Sequence, residues 1–187
     1  MSSDLKLSRR EILSATGAAL ASSALSLPTF AQQAGKPLKI GLVTSLSGPF
    51  AALGESMRAG LQLLIAESGG KFAGRAVELI VEDDQAKPDE GVRKFRKLIG
   101  QDNVDVLCGV ISSGVALAAR DVVTEAKALT FISAGSANDL ARKATSPFIF
   151  RPTKTNWMLG SSAGQWTYEK IEKSGGVTLA SDYAAGR

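Results

Sequence analysis

Serine residues recur at three places in this sequence where an apolar run gives way to a turn rich in small residues. They are Ser45, Ser47, Ser112, Ser113, Ser133 and Ser136. Hydroxyl groups and the backbone N–H groups of helix N-termini both stabilise anions, so turns of this kind suit a carboxylate or a zwitterion. One serine alone is more often a helix cap or a turn residue. It is their recurrence after three apolar runs that favours a binding site.

The scaffold that would bring these turns together is predicted from apolar runs that alternate with amphipathic segments. The predicted strands cover residues 38–44, 76–82, 104–111, 129–133, 147–151 and 177–181. The predicted helices cover residues 57–67, 88–101, 115–126 and 153–174. This alternation predicts an α/β fold with a doubly wound parallel sheet. Ligands bind beyond the carboxyl ends of the strands in such sheets, so the turn at 45–56 is the first candidate site.

The composition removes several kinds of chemistry. The 187 residues include no histidine and one cysteine, Cys108, which excludes histidine-based triads, internal disulfides and Cys-pair metal sites. Cys108 lies in an apolar run and is predicted to be a buried small residue rather than a reactive thiol. The net charge of +4 is mild, and the basic cluster at 93–97 is interpreted as a solvated helix surface. No nucleic-acid partner is therefore expected.

Three acidic residues, Glu82, Asp83 and Asp84, follow each other at the end of the second predicted strand. Further ligands at metal-binding spacing do not lie nearby in the sequence, so the run is interpreted as a polar strand exit. The first turn lacks the Gly-x-Gly-x-x-Gly pattern, and no P-loop or nucleophile elbow follows any predicted strand. The sequence therefore predicts a protein that is not an enzyme and has no cofactor or metal, with a nucleotide-dependent α/β enzyme as an alternative.

Residues 1–31 are predicted to be an export signal. Lys6, Arg9 and Arg10 form a basic start, an Ala- and Ser-rich apolar stretch follows at 12–27, and small residues precede Ala31. The segment 8–13 resembles the twin-arginine export motif, which implies the twin-arginine machinery as a partner. Cleavage is expected after Ala31, with Ala34 as an alternative, and a plain N-terminal tail is the competing interpretation.

The strands and turns together resemble the substrate-binding proteins of ATP-binding cassette importers, in the branch for branched-chain amino acids, amides and aromatic acids. The residues that carry the resemblance are 40–41, 47–49, 54–60, 81–84, 109–114, 132–138, 150–151, 156–157 and 180–187. It implies a type I periplasmic binding fold, in which two lobes close on a small ligand that passes to a membrane permease. It also implies a periplasmic location. A sensory ligand-binding domain, which shares this fold, is an alternative.

The resemblance further implies which residues contact the ligand. The candidate ligand-binding residues are Phe50, Ser112, Ser113, Gly135, Ser136 and Ala137. The two serine residues and the turn after the fourth strand would hold carboxylate and amino groups, and the phenylalanine would form a wall of the side-chain pocket. Many amino-acid binders have Thr where this chain has Ala137, which leaves amides and aromatic acids open as ligands.

The resemblance also suggests how the chain divides. Residues 36–152 are predicted to form the N-terminal part of lobe I, and residues 153–187 the start of lobe II. Members of the family are considerably longer, so the chain is expected to be a fragment or a truncated product. Because closure on a ligand needs both lobes, it is expected to bind poorly when taken alone.

Overall fold

The computed structural model describes residues 35–171. Its strands are β1 (Leu38–Thr44), β2 (Lys71–Phe72), β3 (Arg75–Asp83), β4 (Val106–Gly109), β5 (Thr130–Ile132) and β6 (Ile149–Phe150). Its α-helices are α1 (Ala51–Glu67), α2 (Pro88–Gly100), α3 (Ser113–Glu125) and α4 (Asn156–Lys170). Two 3-10 segments cover Gly48–Phe50 and Asn138–Ala141. The proposed export signal and the predicted strand at 177–181 lie outside the described residues.

The strands form one sheet in the order β2-β3-β1-β4-β5-β6. The pairs β3–β1, β1–β4, β4–β5 and β5–β6 are parallel, and the short β2 pairs antiparallel with β3. The order of the five parallel strands is that of a flavodoxin-like doubly wound sheet. This arrangement confirms the predicted α/β fold. None of the described helices is both long and apolar enough to span a lipid bilayer.

Most of the element boundaries differ from the sequence prediction by one to four residues, and three differences change the turns. The first helix begins at Ala51, directly after a 3-10 turn, so half of the region predicted as a turn at 45–56 is helical. Ala73 and Gly74 both have positive φ, which makes a two-residue hairpin loop and lets β2 pair with β3. Strand β4 ends at Gly109, before the apolar run does, because Gly109 (φ 109°) and Val110 (φ 62°) leave the extended region.

The main core lies between the sheet and the paired helices α2 and α3. Phe95 and Leu98 of α2 are fully buried, as the apolar stripe of this helix predicted. Gly91 brings the helices close together, since a Cβ added there would lie 2.4 Å from Val115 Cγ1 of α3. An alanine at this position would therefore push the two helices apart.

The other side of the sheet is covered less completely. The cross-strand row of Leu42, Cys108, Phe131 and Phe150 runs from β1 to β6. Leu42 is 1% exposed, whereas Phe131 and Phe150 are 38% and 49% exposed and contact each other with ring centroids 5.7 Å apart. Helix α1 is also incompletely covered. Leu64 is predicted from the sequence to lie on the buried face of this helix, but its side chain is 51% exposed among the described residues, so this prediction was wrong.

Cys108 lies in this row and is half-buried, and burial raises the pKa of its thiol to about 11. Because the thiolate is the reactive form, we expect a disulfide reagent to modify Cys108 slowly at pH 8 in the native protein and rapidly in urea. Equal thiol reaction rates in native and unfolded protein would contradict this prediction.

The same pKa shift makes the stability of the protein depend on pH. The ordinary pKa of the thiol is 9.0, so the raised native value gives stability that is fully present below pH 9.0 and is lost as pH rises towards about 11. Urea unfolding at pH 8 and pH 10 measures this loss, and a Cys108→Ala variant should lack the part of it that comes from the thiol.

Candidate ligand-binding site

The order of the parallel strands reverses between β1 and β4, which pair directly. The start of α1 lies on the Thr44 side of the sheet, where a Cβ added to Gly54 would be 3.2 Å from Thr44 Oγ1. Helix α2 packs on the opposite side, where a Cβ added to Gly41 would be 3.0 Å from Leu98 Cδ1. Open α/β sheets bind ligands in the crevice at such a reversal, beyond the carboxyl ends of the strands. The turns after β1 and β4 therefore border the position where a ligand is expected.

The turn after β4 contains the two candidate serine residues, and both are buried, with 5% of Ser112 and 1% of Ser113 exposed. Ser113 Oγ accepts hydrogen bonds from the backbone N–H groups of Ser136 and Ala137, each at 3.1 Å. These two bonds occupy the acceptor capacity of the hydroxyl and leave its proton as a donor. Ser112 is the N-cap residue of α3, yet among the described residues its side chain makes no capping bond. Both hydroxyl groups thus remain able to donate to an anion.

The backbone joins the turn after β4 to the turn after β5. The carbonyl oxygen of Val110 accepts N–H bonds from Ala134 at 3.3 Å and from Gly135 at 3.1 Å, and that of Gly109 accepts one from Ser133 at 2.6 Å. Val110 adopts a left-handed conformation that is rare for a β-branched residue, which places strain beside the candidate site. Sequence reasoning missed Val110 because valine is an ordinary strand residue and its backbone angle leaves no signal in the sequence.

The turn after β5 is also tied to the segment that leads into α4. The Ser136 carbonyl accepts the N–H of Asn156 at 3.0 Å, and the Ala137 carbonyl accepts a bond from Arg151 Nη1 at 2.8 Å. Burial lowers the pKa of Arg151, but an arginine guanidinium stays charged at any physiological pH. Arg151 is thus a fixed cation next to the candidate residues, and sequence reasoning did not assign it this position.

The first turn differs from the sequence-based expectation, since its serine hydroxyl groups are already bonded within the protein. Ser45 Oγ donates to Asp84 Oδ1 at 2.6 Å, and Ser47 Oγ donates to Asp83 Oδ2 at 2.7 Å. The prediction that these two serine residues present hydroxyl groups to a ligand was therefore wrong. Burial acts to raise the pKa of Asp83, but bonds from the Ser47 hydroxyl and from backbone N–H groups outweigh it, and the net pKa is lowered.

The remaining candidates fall into two groups. Gly135 lies against Ser113, since a Cβ added to Gly135 would be 3.8 Å from Ser113 Cα. The structure thus brings Ser113, Gly135, Ser136 and Ala137 into contact, with Ser112 next in the chain. Phe50 closes the 3-10 segment after β1 and is half-buried. It follows β1 at the same edge of the sheet as the other candidates, and the strand order is the reason for keeping it as a candidate.

The three carboxylates at the end of β3 have two separate sets of partners. The carboxylate of Glu82 pairs with Lys94 Nζ at 2.6 Å and Lys97 Nζ at 2.7 Å on α2, away from the carboxylates of Asp83 and Asp84 that face the first turn. Across residues 35–171, no cluster of three or more Cys, Asp or Glu side chains is arranged to hold a metal ion.

A family model described as periplasmic binding protein matches residues 37–187. The Leu/Ile/Val-binding protein homolog 6 of Brucella abortus (strain 2308) is 25% identical over 150 residues, which cover 80% of this chain and 38% of that protein. An ABC transporter substrate-binding protein from Sphaerobacter thermophilus is 32% identical with a TM-score of 0.69, over 81% of this chain and 41% of its own. A solute binding protein of an ABC transporter from Rhodopseudomonas palustris BisB5, in complex with 3,4-dihydroxy benzoic acid, is 30% identical with a TM-score of 0.71, over 80% and 40%. The chain spans about two fifths of the length of these proteins.

Proposed function

This chain belongs to the periplasmic binding protein family, and on that basis we propose that the protein it forms part of is the solute-binding component of an ATP-binding cassette importer. It captures a small ligand with a carboxylate group outside the cytoplasm and delivers it to a membrane permease. The ligand is a branched-chain amino acid, an amide or an aromatic acid. This role involves no catalysis, in keeping with relatives that are substrate-binding proteins.

The observation that carries the proposal is the bonding of Ser113 to the turn after β5 at the strand-order reversal. The hydroxyl groups of Ser112 and Ser113 and the N-terminus of α3 supply donors for a carboxylate. Gly135 and Ser136 belong to the turn after β5 that is bonded to Ser113, and they form the next part of the proposed site. Phe50 supplies an apolar wall.

Ala137 bears on the class of ligand. It is 3% exposed and offers no hydroxyl group, and its backbone N–H and carbonyl groups are bonded to Ser113 and Arg151. An amino-acid ligand would have to find a partner for its ammonium group elsewhere. The relative in complex with 3,4-dihydroxy benzoic acid supports an aromatic acid, and the Leu/Ile/Val-binding relative supports a branched-chain amino acid. A carboxylate is common to both ligand classes.

The location and partners follow from the same proposal. Residues 1–31 direct export through the twin-arginine machinery, the mature protein is periplasmic, and its partner is the importer's permease. Residues 36–152 belong to lobe I and residues 153–187 begin lobe II. The two related structures named above are binding proteins of ABC transporters, so neither a sensory domain nor an enzyme gains support from them.

Replacing Ser112 by alanine tests this function. We expect calorimetry of the whole protein, expressed from its native gene, to show binding of leucine, benzoate or 3,4-dihydroxybenzoate. Ser112→Ala should weaken that binding about tenfold or more, because a hydrogen bond to a charged group is worth about 1.5–3 kcal/mol.

Stability serves as the control for this variant. The Ser112 side chain makes no capping bond within residues 35–171, so the melting temperature should change little. The matched variant Ser56→Ala removes an exposed hydroxyl that donates to the Ala52 carbonyl of α1, and it should leave affinity unchanged. Wild-type affinity in Ser112→Ala would contradict the proposed site, and binding of none of the three ligands would contradict the proposed ligand class.

A further inference from the structure

We propose that Asp83 and Asp84 are positioning residues of the ligand site, which hold the first turn in place without touching the ligand. This inference rests on the proposed function. Both residues lie at the carboxyl end of β3, and β3 pairs with every residue of β1. The turn that they hold leads directly to Phe50.

Asp84 forms the buried part of this arrangement. Its side chain is fully buried, and its Oδ1 accepts bonds from Ser45 Oγ at 2.6 Å and from the Ala86 N–H at 2.8 Å. Its own N–H donates to the Thr44 carbonyl at 3.1 Å, so side chain and backbone both bind the end of β1. The other carboxylate oxygen, Oδ2, is buried and has no hydrogen-bond partner among residues 35–171.

Asp83 forms the outer part. Its Oδ1 accepts the N–H groups of Leu46 and Gln85, each at 2.9 Å, and its Oδ2 accepts the Ser47 hydroxyl at 2.7 Å. Bonds from backbone N–H groups to a carboxylate are charge-assisted and therefore stronger than bonds between neutral groups. Three consecutive residues, Ser45 to Ser47, are thus fixed by two carboxylates from the neighbouring strand.

The backbone of the segment that follows the carboxylates is strained. Gln85 and Ala86 both have left-handed conformations, with φ of 54° and 59°, although neither is glycine. Such conformations persist only where surrounding interactions impose them, and here the N–H of each residue is bonded to the carboxylate two positions before it. The two carboxylates therefore bind the turn after β1 and the turn after β3 at the same time.

The consequence for the ligand site is geometric. The 3-10 segment Gly48–Phe50 begins one residue after Ser47, so the position of Phe50 depends on a turn that the carboxylates fix. Glu82, the third member of the acidic run, pairs with Lys94 and Lys97 of α2 and takes no part. Glu82 therefore offers a matched control two residues before Asp84.

The test compares Asp84→Ala, Asp84→Asn and Glu82→Gln in the whole protein. Asparagine keeps an oxygen for Ser45 and Ala86, and its amide nitrogen would take the place of the unpartnered Oδ2. Two quantities are measured: amide hydrogen exchange of the peptide covering residues 45–50, without ligand, and the Kd for leucine, benzoate and 3,4-dihydroxybenzoate. Both are measured where every variant is fully folded.

We expect Asp84→Ala to accelerate exchange at residues 45–50 and to weaken the ligand's Kd about tenfold or more. Asp84→Asn should recover most of both properties, and Glu82→Gln should change neither. Since Asp84 acts through Phe50, its effect should be smaller in a Phe50→Ala background, which a double-mutant cycle measures.

Two outcomes would overturn the proposal while the proposed function stands. Unchanged exchange in Asp84→Ala would show that the carboxylate does not hold the turn, and faster exchange with unchanged Kd would show a structural role only. A wild-type protein that binds none of the three ligands would instead overturn the proposed function and, with it, the assignment of these residues to a ligand site.

Discussion

Replacing Gly54 by alanine is expected to destabilise the protein by about 3–5 kcal/mol, at the upper end of the range for single substitutions. Gly54 lies in the first turn of α1, where the helix approaches the end of β1. A Cβ added there would lie 1.9 Å from the carbonyl oxygen of Ser45 and 2.6 Å from its carbonyl carbon. Both atoms belong to the backbone, so no side-chain rotation relieves the clash and the helix must move away from the sheet.

The movement has a further consequence for the first turn. Ser45 cannot shift without disturbing the bond from its hydroxyl to Asp84, which is buried. We therefore expect Gly54→Ala to loosen the whole turn after β1. Urea unfolding followed by circular dichroism measures the loss of stability, and hydrogen exchange at residues 45–50 measures the loosening.

Gly60→Ala is the matched control for this prediction. It makes the same change in the same helix, but a Cβ at Gly60 meets nothing within 4 Å. Because alanine favours the helix more than glycine does, Gly60→Ala should stabilise the protein by roughly 0.5–1 kcal/mol. Opposite signs for the two variants would support the close approach of helix and turn, and equal effects would contradict it.

Replacing Gly109 by alanine is expected to have a comparably large effect. Gly109 ends β4 with a φ of 109°, and an added Cβ would lie 2.3 Å from the Val43 carbonyl oxygen and 2.8 Å from Leu42 Cδ1. The substitution therefore combines backbone strain with a clash against β1, at the point where the strand order reverses. We expect a loss of about 3 kcal/mol or more, together with weaker ligand binding, because Ser112 lies three residues further on.

Gly74→Ala separates the backbone strain at a positive φ from the steric clash with a neighbouring strand. Gly74 has a φ of 80°, and a Cβ there meets nothing within 4 Å, so alanine would suffer the strain without the clash. We expect a loss of about 1 kcal/mol for this variant, measured by the same urea unfolding. If Gly109→Ala cost no more than Gly74→Ala, the close packing of β4 against β1 would be disproved.

The sequence by itself determined the class of fold and the edge of the sheet where the candidate turns lie. The residues of β1 were predicted without error, and α2 was predicted from the spacing of Phe95 and Leu98, because apolar periodicity records which face of an element is buried. Small polar residues after the parallel strands placed the candidate turns on one edge, since all parallel strands end there.

Only the tertiary structure decided which of the serine hydroxyl groups are free to donate. Ser45 and Ser47 have the same residue type and local setting as Ser112, yet their hydroxyl groups are bonded to carboxylates 39 and 36 positions away in the chain. Those partners come within reach because β3 lies beside β1 in the sheet. The left-handed backbone conformation of Val110 could not be predicted from the sequence either, because tertiary contacts impose it against the preference of valine. Local sequence patterns report burial and turns, whereas the bonding of a particular polar atom depends on partners that only the folded sheet brings together.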